Sequence, residues 1–351
     1  MRSVMLIDMD YFFAACEELR QPKLKGKPLV VFSGSDPDAP RAVVMTCNYE
    51  ARKYKIKSGM SLPISRRLKP DAAFLPEDFA YYEQMSAKVM ALLGNFAKKL
   101  EQVSIDEAFM DVTEFVQNNR EAMEYAKRIK DQVKYALGLP CSVGIGPNKL
   151  IAKMACQAAK PDGIKLVKEE DAESFLAPMG VGDLYGVGRK TEEKLIAMGY
   201  KTIAQLAKAN QMSLIQTFGV FGAELYLHAK GIDESEVRQV DEIKSIGREF
   251  TFQQDTKDPF EIRQAIERLS KDVYNEVSKK AFTFKTVTLK TRYGDFSEHL
   301  KSKSLRRYSD SYDDIWVNAV SLLDTRDEKK VRKIGVRVSS LGSGKGQAKL
   351  M

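Results

Sequence analysis

Ser3-Val4-Met5-Leu6-Ile7-Asp8-Met9-Asp10-Tyr11-Phe12-Phe13 begins as an unbroken apolar run and ends in two carboxylates and three aromatic rings. Apolar residues that scarcely alternate predict a buried strand, whose exit sets Asp8 and Asp10 at a sheet edge. Working outward, a helix is expected over 11–20 and short strands over 28–32 and 42–46, joined by the loop Ser33-Gly34-Ser35-Asp36-Pro37-Asp38-Ala39-Pro40. Met85, Val89, Leu92, Leu93 and Phe96 recur at helical spacing within 81–100, and residues 103–112 read as two strands around a tight bend. A helix over 121–137, a strand over 142–146, a helix over 148–159 and a strand over 164–167 follow. With the insert between the first helix and Phe79 set aside, the order is β-α-β-β-α-β, which predicts a ferredoxin-like antiparallel sheet with its helices on one face.

Further along, Gly186-Val187-Gly188 has no strand before it, so its glycines mark a tight turn between two helices. Phe218-Gly219-Val220-Phe221-Gly222 is a weaker echo. The polar run 233–242 reads as a linker, after which strands over 246–252, 286–292 and 332–338 alternate with helices over 259–278 and 310–324. A length of 351 residues exceeds what one hydrophobic core usually organises, so an α+β multidomain protein is expected. A hydrophobic fraction of 44% with 30% charged residues excludes disorder as the main state. No run approaches the roughly 18 apolar residues of a membrane span, and Asp8 and Asp10 interrupt the apolar start, unlike a signal peptide. No membrane partner and a cytoplasmic location are expected. Four dispersed cysteines and two histidines argue against disulfide scaffolds, zinc fingers and His-based triads.

The net charge of +8 is unevenly placed: residues 1–243 hold 33 Lys and Arg against 33 Asp and Glu, and residues 244–351 hold 23 against 15. Basicity confined to one segment suits a phosphate backbone, although a solvated face would look the same. Within that segment Lys285, Lys290, Arg292, Lys301, Lys303, Arg306 and Arg307 face only Asp295 and Glu298 in 23 residues, which suggests a strand pair tracking a duplex. Gly186 and Gly188, followed by Arg189, Lys190 and Lys194, can hold a phosphate through backbone N–H groups without reading sequence.

The acidic residues carry the chemistry. Asp8 leaves the first strand and Ser104-Ile105-Asp106-Glu107 sits at the hairpin bend, places that are neighbours in a ferredoxin-like sheet. Clustered carboxylates repel unless a cation sits among them, and oxygen ligands without histidine favour Mg²⁺. Two such ions are the standard means of in-line phosphoryl transfer. The bland alternative makes Asp8 and Asp10 helix caps and the other pair turn residues. Thr46, Tyr49 and Arg52 bring a hydroxyl, a phenol and a guanidinium to one helical turn, where a triphosphate needs donors and cations. Lys160, in the turn Lys160-Pro161-Asp162-Gly163, is placed to reach the same phosphates.

Together, Asp8-Met9-Asp10-Tyr11-Phe12-Phe13-Ala14, Thr46-Cys47-Asn48-Tyr49-Glu50-Ala51-Arg52, Ser104-Ile105-Asp106-Glu107-Ala108, Gly144-Ile145-Gly146-Pro147-Asn148-Lys149, Ala159-Lys160-Pro161-Asp162-Gly163 and Lys244-Ser245-Ile246-Gly247-Arg248 resemble the ordered motifs of the Y-family translesion DNA polymerases, and most closely their DNA polymerase IV class. The resemblance implies a right-hand polymerase. Residues 1–10 and 79–168 would be a ferredoxin-like palm, 11–78 small fingers, and 169–234 a helical thumb with a helix-hairpin-helix. Residues 235–243 would be a linker, 244–341 a C-terminal α+β little-finger domain that grips DNA, and 342–351 a tail. It further implies that Asp8, Asp106 and Glu107 are catalytic and, with the Met9 carbonyl, bind two Mg²⁺ per active site. Thr46, Tyr49, Arg52 and Lys160 fall on triphosphate contacts. Phe13 falls on the aromatic gate that excludes ribonucleotides, where many relatives have tyrosine. Gly186, Gly188, Arg189, Lys190, Lys244, Arg248, Lys290, Arg292, Arg306 and Arg307 would contact DNA.

The expected activity is template-directed, error-prone addition of deoxynucleotides to a primer without proofreading, by a monomer whose partners are primer-template DNA and a dNTP. Two other readings compete. A nucleotidyl cyclase would share the palm and metals but have no use for the helix-hairpin-helix or the basic domain, and a non-catalytic DNA-binding scaffold would have no use for Asp8, Asp106 and Glu107. The ending Gly346-Gln347-Ala348-Lys349-Leu350-Met351 resembles the first part of a sliding-clamp peptide, Q-x-x-[LIM], without the paired aromatics that complete it. A shortened clamp motif and chance stay open as readings of it.

Overall fold

The computed structural model describes residues 2–239, 243–323 and 329–343. The chain forms two compact units, Met1–Val240 and Asp241–Met351. The first is built on β1 (Val4–Met9), every residue of which is buried. Its side chains alternate between two cores. Met5, Ile7 and Met9 pack with α1 (Phe12–Arg20), while Val4 and Leu6 join Phe109, Ala152, Cys156 and Val237 on the opposite face. Cover on both faces is why the strand reads as continuously apolar.

An inserted segment follows: β2 (Leu29–Phe32), β3 (Val44–Cys47), the single-turn α2 (Tyr49–Arg52), α3 (Leu62–Leu68) and β4 (Ala73–Pro76). It forms its own three-stranded sheet, β3-β2-β4, in which β4 runs parallel to β2. That short strand carries no alternation, and sequence reading does not place it. Next come α4 (Phe79–Leu93), β5 (Lys99–Gln102), β6 (Glu107–Asp111), α5 (Asn119–Leu137), β7 (Cys141–Gly146), α6 (Lys149–Ala159) and β8 (Ile164–Leu166). The helix expected through Leu100 ends at Leu93, and Leu100 belongs to β5. Asn118 and Asn148 cap α5 and α6 by accepting from the N–H groups of Glu121 and Ile151.

The main sheet has the order β5-β6-β1-β7-β8. Strands β1, β5, β6 and β7 with helices α4 and α5 form the ferredoxin-like unit, both helices contributing to one core. The expectation of an all-antiparallel sheet covered on one face is corrected by the last helix and strand. β8 pairs parallel to β7, and α6 crosses between them on the other face. A Cβ on Gly144 would lie 2.0 Å from the Ala152 carbonyl oxygen, so α6 meets β7 backbone to backbone and only glycine fits there.

A second stripe of α6, Leu150, Ile151, Met154 and Ala155, packs into a helical segment made of α7 (Ala172–Leu176), α8 (Arg189–Ala197), α9 (Ile203–Ala207), α10 (Gln211–Phe218) and α11 (Val220–Ala229). The polar run after it, expected to be a linker, lies against the first unit as far as Arg238. Val237 is 1% exposed in the β1 core, Arg2 donates to the Ser235 carbonyl, and the Arg238 N–H donates to Glu101. Isolated valines in an otherwise polar run are a weak sequence signal.

The second unit contains β9 (Ser245–Thr256), α12 (Pro259–Lys279), β10 (Phe282–Tyr293), β11 (Glu298–Ser309), α13 (Tyr312–Ser321) and β12 (Val331–Ser343). Its antiparallel sheet runs β11-β10-β12-β9. Val287, Leu289, Ile334, Val336 and Val338 pack with the helices in one core. The clamp-like ending lies outside the described residues, as do parts of the expected linker and tail.

Candidate active site

Two neighbouring strands build the acidic centre. β1 presents Asp8 and β6 begins at Glu107, and their antiparallel register sets the two residues directly opposite each other, so both side chains leave one face. That is the face covered by α6. Lys153 of α6 pairs with Glu107 and stands 3.7 Å from Asp8 Oδ2, and Lys160, just past α6, pairs with Asp8 Oδ1 at 2.7 Å. Asp8 is only 5% exposed, and an ionised carboxylate so far from water needs such partners. Burial pushes the Glu107 carboxyl above its ordinary value; Lys153 opposes this and Asp8 adds to it. Burial weakens the Lys153 ammonium, but Glu107 and Asp8 outweigh it and hold the group above its ordinary value.

Asp106 occupies the bend before β6. Its carbonyl accepts from the Met9 N–H at 2.9 Å, which ties the bend to the exit of β1, and its carboxylate accepts from Ser104 Oγ at 2.5 Å. Among the described residues no three acidic, cysteine or histidine side chains converge at coordinating distance. Asp8 and Glu107 are neighbours, Asp106 turns to Ser104, and the cationic role between the strands falls to Lys153 and Lys160. The donor set is nonetheless all oxygen and gathers cations, which fits a hard divalent ion.

A cleft of about 240 Å³ collects Asp8, Met9, Phe13, Thr46, Arg52, Asp106 and Lys160, seven of the predicted residues, with Tyr11, Phe12, Met45 and Ser58 as further neighbours. Tyr49 and Glu107 are not among its lining residues. The Tyr49 hydroxyl instead donates to Asp10 Oδ1 at 3.3 Å, and the Arg52 guanidinium lies over its ring, 4.6 Å from the centroid. Burial and the charge of Asp10 raise the Tyr49 phenol, which keeps it a neutral donor. The α2 N–H of Ala51 is already taken by its cap, Asn48, so that donor does not serve a ligand.

Phe13 stacks on Tyr82 with ring centroids 4.5 Å apart and 12° between planes, and meets Phe79 edge-on. Phe12 also borders the cleft, but it is 3% exposed and packs in the main core. Sequence reading missed Lys153 altogether, since a lysine on an amphipathic helix carries no signal until the sheet beneath it is known.

The predicted DNA contacts fall into two regions. In the first unit, Gly186 adopts φ +92°, where a β-carbon is strained, and Gly188 caps α8 with open space around it. First-turn N–H groups of a helix have no intrahelical partner, and Arg189 and Lys190 stand exposed beside them. In the second unit, Lys244 and Arg248 are exposed. The basic run does lie on paired strands, but it does not form one surface. Lys290 and Arg292 sit opposite Leu300 and Glu298, while Lys301 and Lys303 sit opposite Leu289 and Val287 on the other face. Lys290 is shared between Glu249 at 3.0 Å and Glu298 at 3.1 Å, and Arg292 pairs with Glu298. Arg306 and Arg307 are exposed and make no ion pair among the described residues.

Comparison with known proteins agrees with this geometry. Residues 7–157 match the impB/mucB/samB family, residues 243–350 the C-terminal domain of that family, and residues 182–233 a thumb domain described for DNA polymerase-iota. The chain is 41% identical to DNA polymerase IV 2 of Methanosarcina mazei, over 97% of this chain and 92% of that one. A solved Y-family DNA polymerase chimera matches with a TM-score of 0.90 at 30% identity, over 97% of this chain and 99% of that one. An insertion ternary complex of Dbh DNA polymerase matches at 0.67 and 30% identity, over 96% and 98%. The fold is thus the α+β right hand of a polymerase, with a helix-hairpin-helix thumb and a C-terminal sheet domain. The chain belongs to the Y family of DNA polymerases, and within it to the DNA polymerase IV class. No helix among the described residues is long and apolar enough to cross a membrane.

Proposed function

We propose that this chain, by family a DNA-directed DNA polymerase of the translesion type, joins a primer 3′-oxygen to the α-phosphate of a deoxynucleoside triphosphate with two Mg²⁺ and without proofreading. The observation that carries the reading is the cleft in which Asp8 and Asp106 face Thr46, Arg52 and Lys160. Asp8, Asp106 and Glu107, with the Met9 carbonyl, would hold the ions. When bound, the metal supplies charge neutralisation for the attacking oxygen and the leaving pyrophosphate.

The protein's own residues bind and orient. Arg52 and Lys160 carry fixed positive charge toward the phosphates, Thr46 offers a hydroxyl, and the backbone between Asp8 and Phe13 forms the floor under the sugar. Lys160 leaves Asp8 for the triphosphate as the nucleotide enters. Phe13, held flat by Tyr82, blocks the space of a 2′-hydroxyl. Residues 1–10 and 79–168 act as palm, 11–78 as fingers, 169–234 as thumb and 244–341 as little finger. Gly186, Gly188, Arg189, Lys190, Lys244, Arg248, Lys290, Arg292, Arg306 and Arg307 hold the duplex. We place the protein in the cytoplasm as a monomer. Primer extension on undamaged and damaged templates, with and without Mg²⁺, tests the reading; templated extension that stops on chelation is expected, and metal-independent extension or none would reject it.

A further inference from the structure

Asp10 has no role in the chemistry above, yet it is 1% exposed and has no ion-pair partner among the described residues. A buried carboxylate without a counter-charge is stable only if hydrogen bonds replace its water. Here they come from three separate pieces of the first unit. Ser142 of β7 donates at 3.0 Å to Oδ1 and 3.1 Å to Oδ2. The Asp162 N–H donates to Oδ2 at 2.7 Å, and the Tyr49 hydroxyl to Oδ1 at 3.3 Å. Its own N–H is tied to the Pro140 carbonyl at 3.0 Å, so the carboxylate is anchored from behind.

Two of those donors belong to the segments that carry the triphosphate groups. Asp162 lies two residues after Lys160, in a turn where it adopts φ +50° and where a Cβ on Gly163 would meet the Ala159 carbonyl oxygen at 2.0 Å. Such a turn does not hold its shape alone, and its outer side is fastened by Lys130, which binds the carbonyl and the carboxylate of Asp162. Tyr49, in turn, is the platform on which the Arg52 guanidinium rests, and its ring meets Tyr11 edge-on at 5.3 Å. One carboxylate therefore joins the segment bearing Lys160 to the segment bearing Arg52, although the two are far apart in the chain.

We infer that Asp10 is a positioning residue for the incoming nucleotide, fixing Tyr49 and the Lys160 turn so that both cations meet the triphosphate in one geometry. The inference rests on the triphosphate reading given under the proposed function. Asp10 acts through its neighbours and does not touch the nucleotide, so its loss registers in nucleotide use and not in duplex binding.

The test is pre-steady-state primer extension as a function of dNTP concentration, with primer-template affinity and thermal unfolding measured alongside. Asp10→Asn keeps the shape but replaces a charged acceptor by a neutral amide, and since hydrogen bonds to charged groups are about twice as strong as neutral ones, the apparent dNTP constant is expected to rise about fivefold to tenfold. The maximal rate should change less and DNA affinity should hold. Ser142→Ala, which removes one donor to Asp10 and is a milder change for folding, should move the same constant by about threefold in the same direction. In a Tyr49→Phe background the effect of Asp10→Asn should shrink, because part of its path is already cut. An unchanged dNTP constant in both Asp10→Asn and Ser142→Ala, with Lys160→Ala raising it, would overturn the positioning role alone. An unchanged constant in Lys160→Ala and Arg52→Ala would bring down the triphosphate reading, and the inference with it.

Discussion

The ferredoxin-like part of the main sheet in the first unit and the sheet of the second unit follow the same succession of elements, β-α-β-β-α-β, and arrange it differently. In the first unit the opening strand, β1, lies between β6 and β7; in the second the opening strand, β9, is an edge. β1 is buried throughout, whereas in β9 only Ile246 and Phe252 are buried and Gly247, Arg248 and Glu249 are exposed. Position follows burial: a strand apolar on both faces must be covered on both, and a half-polar strand leaves one face to water. The charged residues then behave differently. At the end of β1 they are few and sequestered, so Asp8 and Glu107 require Lys153 and Lys160. On the second sheet they are many and more exposed; pairs such as Lys290 with Glu249 contribute little stability, and the field comes from the basic excess of residues 244–351. The contrast predicts chemistry in the first unit and salt-dependent binding in the second.

The severest way to break that contrast is to remove a sequestered carboxylate. Asp106→Ala or Glu107→Ala should slow single-turnover incorporation by about a thousandfold or more, since the charge is needed mainly in the transition state, while primer-template affinity changes little. Near-normal extension by either variant would end the assignment of the acidic centre. Next in size is the aromatic gate. Phe13→Ala should raise ribonucleotide incorporation by about a hundredfold, because a ring in contact with the sugar excludes the hydroxyl by clash and by loss of water. Phe12→Ala, by contrast, empties a core site and should cost about 3–5 kcal/mol of stability without changing sugar choice. Equal sugar discrimination in Phe13→Ala and wild type would move the gate elsewhere.

In the second unit the expected effects are smaller and graded. Arg306→Ala and Arg307→Ala should each flatten the log-log dependence of DNA affinity on salt by about 0.9 if each neutralises one phosphate. Lys290→Ala should flatten it less, since Glu249 and Glu298 already share that charge. Equal slopes for all three would mean that the ion pairs open on DNA binding. The mildest effect is on stability against pH. Lys333 and Lys290 hold the Glu249 carboxyl below its ordinary 4.5, against the effect of burial. A depressed folded-state value stabilises the fold above pH 4.5, and this contribution is lost as pH falls through the lowered value. Thermal unfolding followed from pH 7 downward should therefore show a shallower acid loss in Glu249→Gln than in wild type; parallel curves would show that the cluster is energetically silent.

Much of this could be read from the chain. Apolar Val4 to Ile7 ending in Asp8, the turn at Gly186 and Gly188, and the confinement of the charge excess to residues 244–351 are properties of consecutive residues, and local physics is enough to interpret them. The roles of Lys153 and Asp10 were not legible. Each is defined by groups distant in sequence, Asp8 and Glu107 for the lysine, Ser142, Asp162 and Tyr49 for the aspartate. The same limit explains the correction to the sheet. The order of helices and strands said that α6 and β8 exist, but the face α6 takes depends on Gly144 and Gly146, which clear space for its backbone. By itself, then, the sequence determined most of the segments that become helix or strand, β4 and β5 excepted, and which residue types could hold metal, phosphate and DNA. Only the tertiary structure decided strand order, the face of each helix, and which charges meet, because these are set by packing between segments whose separation along the chain says nothing of their separation in space.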